Sequence, residues 1–382
     1  MQFEIAKPDL VQALKFVSST VAKSDEDLSG HYLFRQVPGS ASAVEVLAYD
    51  GKISSAARLN CKYTPTEGGA TAFTFEAKRM NIWLDASPDV ALTFEYADNK
   101  VTAYSPMGKQ KFDSLDPSKF PYWDSILEES TPKAKVSAVR LRTALQYVRP
   151  FLYADETKHP HLCQAQFRDG VLYATDTATA VAIQMSGFEG ADFSVSSKAM
   201  GALLTFLTQC GDGEIEICEH DRMVIYRLGS TAIFGESRMH VQFPKLNLGL
   251  DLPNQHLWKI NRLEFNKNLK FLLSAAPKDA DTVTLADVAH SDVSVNMGMA
   301  VAAGGTATLP LACTSKATAT SGAAALPDKG FRVKHANFLK VLAAQSADDV
   351  VMGVNSKGAG GWLRFEDEAG GDRYFAIVQW SL

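Results

Sequence analysis

The residues of this chain best suited to hold a metal ion are His159 and His161, which flank Pro160. Imidazole nitrogens are common zinc ligands, but a zinc site needs further ligands, and no nearby cysteine or acid cluster completes a coordination set. The cysteines are scattered, odd in number and never in a C-x-x-C pair: Cys61, Cys163, Cys210, Cys218 and Cys313. This pattern favours reduced thiols over a disulfide framework or a zinc site. We predict no metal site.

Motifs for nucleotide chemistry or covalent catalysis are also missing. Gly51-Lys52 and Gly108-Lys109 are followed by Ile53 and Gln110, whereas a phosphate loop requires Ser or Thr there. The sequence has no G-x-S-x-G or H-E-x-x-H motif, and no pair of carboxylates is spaced as an acid–base couple. We therefore predict a protein without catalytic activity and without a cofactor.

The remaining chemistry is phosphate binding by Lys and Arg, and it depends on the elements that carry these residues. A short alternating strand followed by an amphipathic helix recurs six times, as the periodicities of 2 and 3.6 indicate. The predicted strands begin at residues 3, 73, 136, 193, 258 and 331, and the helices that follow are Pro8–Val17, Lys78–Leu84, Leu141–Leu152, Ala199–Leu207, Leu263–Leu273 and Phe338–Ala344.

Strand-like runs broken by turn residues follow the helices. Ala91–Tyr96 and Val101–Tyr104 flank Asp98-Asn99, which predicts a hairpin. Glu214–Cys218 with Met223–Leu228, and Asp349–Val354 with Trp362–Glu366, predict two more. Each repeat is therefore a β-α-β-β-β unit, and the fold class is α+β with the helices on one face.

A longer repeat overlies the short one. Val46–Gly51 resembles Leu172–Thr177, and Phe120-Pro121 recurs as Phe243-Pro244, each time before a polar connector. Two units thus form one domain, and we predict three domains at 1–126, 127–250 and 251–382. The Ala/Gly/Thr-rich segment 300–326 is compatible with an insertion or with a weakly patterned pair of strands. Three unrelated α+β domains are the alternative interpretation.

The charge distribution indicates what the helices bind. The chain has a net charge of −5, which by itself argues against nucleic acid as a partner. The six helices with their flanks, however, carry thirteen basic and four acidic residues, a net charge of +9 that leaves −14 on the rest. Helices on one face of the sheets would form a basic wall that contacts phosphates without reading bases. We expect the contacts from Lys15, Lys23, Lys78, Arg79, Arg140, Arg142, Arg149, Lys198, Lys267, Lys270 and Lys340.

The whole chain resembles the bacterial β subunit of DNA polymerase III, the sliding-clamp family. The resemblance rests on Met1–Ile5 with the Leu10/Leu14 helix, Phe112 through Phe120-Pro121, Ala174-Thr175-Asp176 and the final strand Tyr374–Leu382. It implies three domains of like topology and a head-to-tail homodimer that forms a ring around double-stranded DNA. It also implies that the clamp tethers a DNA polymerase, and that polymerase and clamp loader bind through short peptide motifs.

In this family, partner peptides bind a hydrophobic pocket. The matching positions are Leu162, Thr175, Thr177, Pro244, Leu246, Leu248, Val378, Trp380 and Leu382. Two departures are visible: Thr177–Ala180 replaces the common Gly-His-Arg-Leu, and Val378–Leu382 replaces Met-Pro-Met-Arg-Leu. The preferred peptide is therefore expected to differ. Trp380 taken alone is more typical of a core or an interface.

The resemblance adds DNA contacts in two loops. The loop 155–161 provides Lys158, His159 and His161, whereas the loop 23–27 has only Lys23 beside four residues that include three acids. This second loop departs from the family and offers weaker support for DNA binding.

Composition is that of a globular protein, with 46% hydrophobic and 21% charged residues. The N-terminus is not a signal peptide, and no apolar run is long enough to cross a membrane, so we expect a cytoplasmic protein without a membrane partner. The main alternative function is a repetitive β-rich scaffold that does not encircle DNA. An enzyme with a site between domains is a second alternative, but it would require titratable groups that the sequence does not bring together.

Overall fold

The computed structural model describes residues 1–22, 27–37, 40, 43–64, 70–121, 124–239, 241–244, 256–275, 282–290, 294–303, 307–321, 331–357, 360–369 and 371–381. They form two compact units. The first unit contains residues 1–145 and 193–240, and the second contains 146–192 and 241–382.

All six predicted helices are present in the described part of the chain. The helices are α1 (Lys7–Val17), α2 (Ala77–Ala86), α3 (Asp124–Glu129), α4 (Ala138–Val148), α5 (Ser197–Gln209), α6 (Arg262–Ala275) and α7 (His335–Ala344). The short α3 was not predicted, because six residues in a polar connector give no helical periodicity. The predicted end of α4 at Leu152 was wrong: a 3₁₀ turn begins at Arg149, since Pro150 cannot donate the next helical hydrogen bond. None of the described helices is long and apolar enough to span a membrane.

Strands make up most of the remaining regular structure. They are β1 (Gln2–Ala6), β2 (His31–Gln36), β3 (Ala43–Tyr49), β4 (Ile53–Asn60), β5 (Lys62–Thr64), β6 (Ala72–Glu76), β7 (Ala91–Ala97), β8 (Lys100–Ser105), β9 (Gly108–Asp113), β10 (Thr131–Ser137), β11 (Gln164–Arg168), β12 (Val171–Thr175), β13 (Thr179–Gln184), β14 (Asp192–Ser196), β15 (Glu214–Glu219), β16 (Met223–Leu228), β17 (Ala232–Ser237), β18 (His256–Asn261), β19 (Thr282–His290), β20 (Ser294–Ala303), β21 (Ala307–Ser321), β22 (Phe331–Lys334), β23 (Asp349–Lys357), β24 (Gly360–Ala369) and β25 (Asp372–Ser381). Five of the six predicted strand starts are confirmed to within two residues, but the predicted start at 136 was wrong, because β10 begins at Thr131. The three hairpins and the α+β fold class are confirmed.

The first unit has a five-stranded sheet, β5-β1-β7-β8-β9, and an eight-stranded sheet, β10-β15-β16-β17-β4-β3-β2-β6. Stacked rings join the two sheets: Phe3 and Phe94 come from the smaller sheet, and Phe34 and Phe73 come from the larger one. The ring centroids are 5.1 Å apart for Phe3–Phe94, 5.8 Å for Phe3–Phe34 and 5.2 Å for Phe34–Phe73. All four rings are fully buried, so the core of this unit lies between the sheets.

Amphipathic helices cover the sheets of the first unit. α1 begins with Pro8 in its first turn, where the missing N–H costs nothing, and it buries Leu10, Leu14 and Val17. It packs against α5 through Phe16 and Phe206, whose ring centroids are 5.7 Å apart. The polar residues of both helices are left on the outside.

In the second unit, β11, β12, β13 and β25 pair in that order. From β25 the pairing continues through β22-β19-β20-β21-β18-β23-β24, and β24 pairs with β25 again, which closes the strands into a ring. The segment whose structure the sequence left open contains β20 and β21, which pair from Ser294↔Thr318 to Ala303↔Ala307. Strands, rather than an insertion without pairing, therefore occupy its described part.

The predicted longer repeat appears as two turns with the same hydrogen bonds. Asp50 Oδ1 accepts the N–H groups of Lys52 and Ile53 at 2.9 and 2.7 Å. The N–H of Asp50 donates to the carbonyl of Ile53 at 3.0 Å, and Gly51 has φ +96°. This turn connects β3 to β4.

The second turn connects β12 to β13. Asp176 Oδ1 accepts the N–H groups of Ala178 and Thr179 at 3.1 and 2.7 Å, and the N–H of Asp176 donates to the carbonyl of Thr179 at 3.2 Å. Thr177 takes the place of glycine with φ +84°. A β-branched residue with positive φ is strained, so the backbone conformation of Thr177 costs free energy in the folded chain.

The strand after each turn pairs with the end of a later strand. In the first unit β4 pairs antiparallel with β17, so that Ile53 lies opposite Glu236. In the second unit β13 pairs antiparallel with β25, so that Thr179 lies opposite Val378. Since Ile53 and Thr179 occupy the same position of their turns, the repeat extends to the pairing register.

Glu236 is buried in the first unit, with 2% exposure, and holds the start of α5. Its Oε2 accepts the N–H and the hydroxyl of Ser196, both at 3.1 Å. The Ser196 hydroxyl in turn accepts the N–H of Ala199 and caps the helix. Burial raises the pKa of Glu236 to about 8, so this carboxyl is largely protonated at neutral pH.

We predict that Glu236→Gln stabilises the protein at alkaline pH. Between the ordinary pKa of 4.5 and about 8, the folded chain keeps a proton that the unfolded chain has released, so the free energy of unfolding falls as pH rises through this window. Gln has no proton to lose, and the free energy of unfolding of the variant should exceed that of the wild type at pH 9 by up to roughly 5 kcal/mol, with little difference at pH 4.5.

Urea unfolding across this pH range measures the effect, and Glu214→Gln at an exposed position serves as the control. Parallel pH profiles of the wild type and Glu236→Gln would contradict a carboxyl that is protonated in the folded state.

We also predict that Thr177→Gly raises the free energy of unfolding by roughly 1 kcal/mol. The change removes a left-handed strain of about 1–3 kcal/mol, against a glycine entropy cost of about 0.5–1 kcal/mol. The exposed Thr177 side chain loses no core packing. The neighbouring Ala178 is not among the residues with positive φ, so Ala178→Gly should destabilise by about 0.5–1 kcal/mol. Urea midpoints that fall in both variants would show that no strain is stored at Thr177.

Candidate nucleic-acid interface and peptide pocket

The helix cations of the first unit differ in how freely they can meet a phosphate. Lys15 on α1 is exposed, and so are Lys78 and Arg79 on α2. The Arg79 side chain is 62% exposed, and its Nε lies 2.8 Å from Glu76 Oε2. An exposed pair of this kind is weak, so a phosphate can compete for the guanidinium.

The sequence also predicts phosphate contacts from α4 and α5, and neither of these helices contains an acidic residue. Arg140 and Arg142 on α4 are half-buried, and Arg149 in the following 3₁₀ turn is exposed. Lys198 is the charged residue of α5, whose other exposed residues, such as Thr205, are neutral. These helix surfaces therefore present positive charge without nearby helix acids.

In the second unit, Lys267 and Lys270 are exposed on α6, whereas the side chain of Lys340 on α7 is half-buried and contacts neighbouring residues. Its Nζ lies 2.5 Å from Asp176 Oδ2 and 4.9 Å from the centre of the Phe151 ring. The Lys340 side chain is 21% exposed. The geometry supports a structural role for this cation more strongly than the phosphate contact that the sequence predicts.

Asp176 thus links the turn of the candidate peptide pocket to α7. Its Oδ1 closes the turn between β12 and β13, and its Oδ2 receives Lys340. Burial alone would raise the pKa of Asp176, but the hydrogen bonds from Lys340 and Thr179 outweigh burial and lower it. The sequence indicated Asp176 as a repeated residue, but it contained no signal for the pairing with Lys340, because the two are far apart in the chain.

The loop 155–161 places its basic side chains on a tight turn. Asp155 accepts the N–H of Thr157 at 3.0 Å, and Lys158 Nζ lies 3.4 Å from the Asp155 carboxylate. The ring of His159 packs edge-on against Tyr153 and His161, with centroids 4.7 and 5.7 Å apart. Among the described residues, no group of three or more His, Cys, Asp or Glu side chains is arranged to hold a metal ion. Lys23 lies outside the described residues.

Five of the predicted pocket residues lie in the described part of the second unit. Thr175 is buried and Thr177 is exposed at the turn, and the buried Val378 pairs with the strand that leaves it. Leu162 is buried just before β11, and Pro244 is half-buried. The side-chain amide of Gln164 donates to the carbonyl of Val241 at 2.9 Å and so ties the start of β11 to the segment that contains Pro244. Leu246, Leu248 and Leu382 lie outside the described residues, and Trp380 is described by its backbone in β25.

No model of a protein family matches the sequence, and no curated protein matches it either. Solved structures, by contrast, match along its full length. The chain is similar to the β subunit of DNA polymerase III from Caulobacter crescentus, with a TM-score of 0.79, 14% identity and 99% of each chain covered.

Two other solved structures give the same result. The DNA polymerase III β subunit from Pseudomonas aeruginosa has a TM-score of 0.78 at 14% identity, and the DnaN sliding clamp from Bartonella birtlesii, solved with griselimycin, has a TM-score of 0.76 at 17% identity. Both alignments cover 100% of both chains. At these identities the likeness concerns the backbone: the chain has the three-domain fold of the bacterial sliding clamps.

Proposed function

We propose that this protein is a DNA sliding clamp, a non-catalytic subunit that encircles double-stranded DNA and tethers a polymerase. The observation that carries the proposal is a clamp fold along the full chain whose helices, with their flanks, have a net charge of +9 in a protein of net charge −5. Helix-borne cations meet the phosphate backbone and offer no reader of base edges, so binding is independent of sequence and sensitive to salt.

The repeated strand pairing supports the division into three domains proposed from the sequence, 1–126, 127–250 and 251–382. β17 closes the second domain and pairs back to β4 of the first, and β25 closes the third domain and pairs back to β13 of the second. Each later domain thus ends on a strand that extends the sheet of the domain before it.

A homodimer would supply the partner for four of the exposed apolar side chains. In the proposed first domain, Ile82 on α2 and Met107 at the β8–β9 turn are 62% and 77% exposed. In the proposed third domain, Leu263 and Phe271 on α6 are 50% and 61% exposed. Exposed apolar residues that form a contiguous patch mark an interaction surface. A head-to-tail contact that joins the two sets would occur twice and close a ring.

Polymerase and clamp loader would bind the pocket formed by the Thr175–Thr179 turn and β25. An extended peptide suits such a site, because apolar side chains can enter while the rim fixes the backbone. The strain at Thr177 supports a functional turn, since strained backbone is concentrated at binding sites. Thr177 also replaces the glycine common in the family, so the preferred peptide differs from the usual one.

We predict that reversing Lys78, Arg79, Arg142 and Arg149 to Glu abolishes binding to a labelled 30-base-pair duplex at low salt and processive synthesis by the cognate polymerase. The four side chains are proposed to contact phosphates, and each phosphate contact adds about 1 to the slope of log affinity against log salt. The matched control reverses the exposed Lys62, Lys100, Lys133 and Arg222, with the same change in net charge. Equal losses in both variants would indicate a general charge effect, and unchanged binding would contradict the basic wall.

We further predict that Leu263→Asp with Phe271→Asp converts a dimer into a monomer. Two carboxylates on α6 would have to be buried at the ring contact, and burying unpaired charges costs several kcal/mol. Sedimentation velocity measures the mass, and negative-stain images of the wild type should reveal a ring with an open centre. The control is Val241→Asp, at a position that is 40% exposed. A wild-type monomer at high concentration, with no ring in the images, would favour the scaffold interpretation.

A further inference from the structure

A cavity of about 530 Å³ opens on the first unit. Its apolar lining is formed by Leu28, Tyr49, Leu115 and Pro121. Leu28 and Tyr49 pack on the core beneath, and the ring of Tyr49 lies edge-on to Phe120 with centroids 6.4 Å apart. Leu115 remains 38% exposed on the wall. The cavity therefore has a rigid apolar floor and room for a few side chains.

This cavity occupies the position in the first repeat that the candidate peptide pocket occupies in the second. It is lined by Tyr49, Asp50 and Gly51, which correspond to Thr175, Asp176 and Thr177. The two turns share their hydrogen bonds, the positive φ at their second residue and the pairing that follows them, as described above. Pro121 lines the cavity, just as Pro244 belongs to the predicted pocket. The correspondence follows from the internal repeat and does not depend on any relative.

The two sites differ in charge. The first-repeat cavity is bordered by three carboxylates, Asp27, Asp50 and Asp116, and by one ammonium group, Lys119. Asp116 accepts hydrogen bonds from the N–H and hydroxyl of Ser118, which hold its charge at the rim.

In the second repeat, the carboxylate that corresponds to Asp50 is Asp176, and Lys340 neutralises it. Lys158, His159 and His161 directly precede Leu162 there. Complementary charge selects partners, so the two sites should not prefer the same ligand.

We propose that the first-repeat cavity is a second peptide-binding pocket, which takes an extended segment of a partner protein with large apolar side chains next to Lys or Arg. The apolar floor accepts the side chains, and the three carboxylates attract the flanking cations. That the occupant is a peptide rests on the proposed function of the second-repeat pocket. The position, shape and charge of the cavity rest on the internal repeat.

The test uses two fluorescein-labelled peptides and the full-length protein. One peptide carries Leu-Phe-Leu between pairs of Lys, and the other carries the same core between pairs of Glu. Fluorescence anisotropy should detect binding of the basic peptide, and Leu115→Arg should weaken it by at least about tenfold, as expected at the centre of a binding site. Val90→Arg is the matched control, because Val90 is also 38% exposed in the same unit but does not line the cavity.

Two further variants separate this pocket from the one in the second repeat. Asp116→Asn keeps the oxygen that accepts the N–H of Ser118 but removes the charge. It should weaken binding of the basic peptide more at low salt than at high salt. Thr177→Arg, in the second repeat, should leave binding of the basic peptide unchanged. A benzophenone in the basic peptide should cross-link to residues 49–51 or 115–121.

Three outcomes would overturn the inference. Loss of basic-peptide binding in Thr177→Arg but not in Leu115→Arg would assign binding to the second-repeat pocket alone and leave the proposed function standing. Binding of neither peptide to the wild type would remove both sites as pockets for these peptides. Equal affinity of the basic peptide for Leu115→Arg and Val90→Arg, with cross-links outside 49–51 and 115–121, would show that the cavity is not the site.

Discussion

Strand pairing between successive repeats is the interaction on which both proposed pockets depend. A sheet edge left open is a template for association with other chains, and natural proteins cover it. Here β4 is covered by β17, and β13 is covered by β25. The pairing uses backbone hydrogen bonds, which tolerate almost any sequence on the exposed face. This explains how a clamp fold is kept at sequence identities of 12–17%.

The pairing also dictates where strain and buried charge are placed. The strand paired to the next repeat must begin immediately after a tight turn, and in both repeats an aspartate closes that turn through two backbone N–H groups. A residue with positive φ is required at its second position. Glycine meets the requirement at Gly51, whereas Thr177 meets it with strain. The position opposite the turn is Glu236 in one repeat and Val378 in the other, so that equivalent sites contain a protonated carboxyl and an apolar side chain.

Local patterns were enough to predict the helices and most hairpins, because each helix has one apolar face and the turn at Asp98-Asn99 has the residues that a left-handed turn requires. Pairing between repeats could not be predicted, since β4 and β17 are separated by more than a hundred residues and no periodicity links them. The same reason explains why the role predicted for Lys340 is not supported. A lysine on a helix suggested a phosphate contact, but folding brings Lys340 against Asp176 and Phe151, which are far from it in the sequence. The Ala- and Thr-rich β20 and β21 have neither alternation nor turn signals strong enough to predict their pairing.

A net negative charge is compatible with the proposed role because a ring does not need high affinity for what it encloses. Free binding to DNA requires enough neutralised phosphates to offset the loss of translational freedom, whereas an enclosed duplex cannot leave by diffusion. A small number of cations is then enough. Tight contacts with phosphates would hold the ring in place and slow its movement along the DNA. The remainder of the chain has a net charge of −14 and on balance repels phosphates. Such a distribution gives DNA its most favourable path along the cations of the helices, and it leaves the outer surface to partners that carry positive charge.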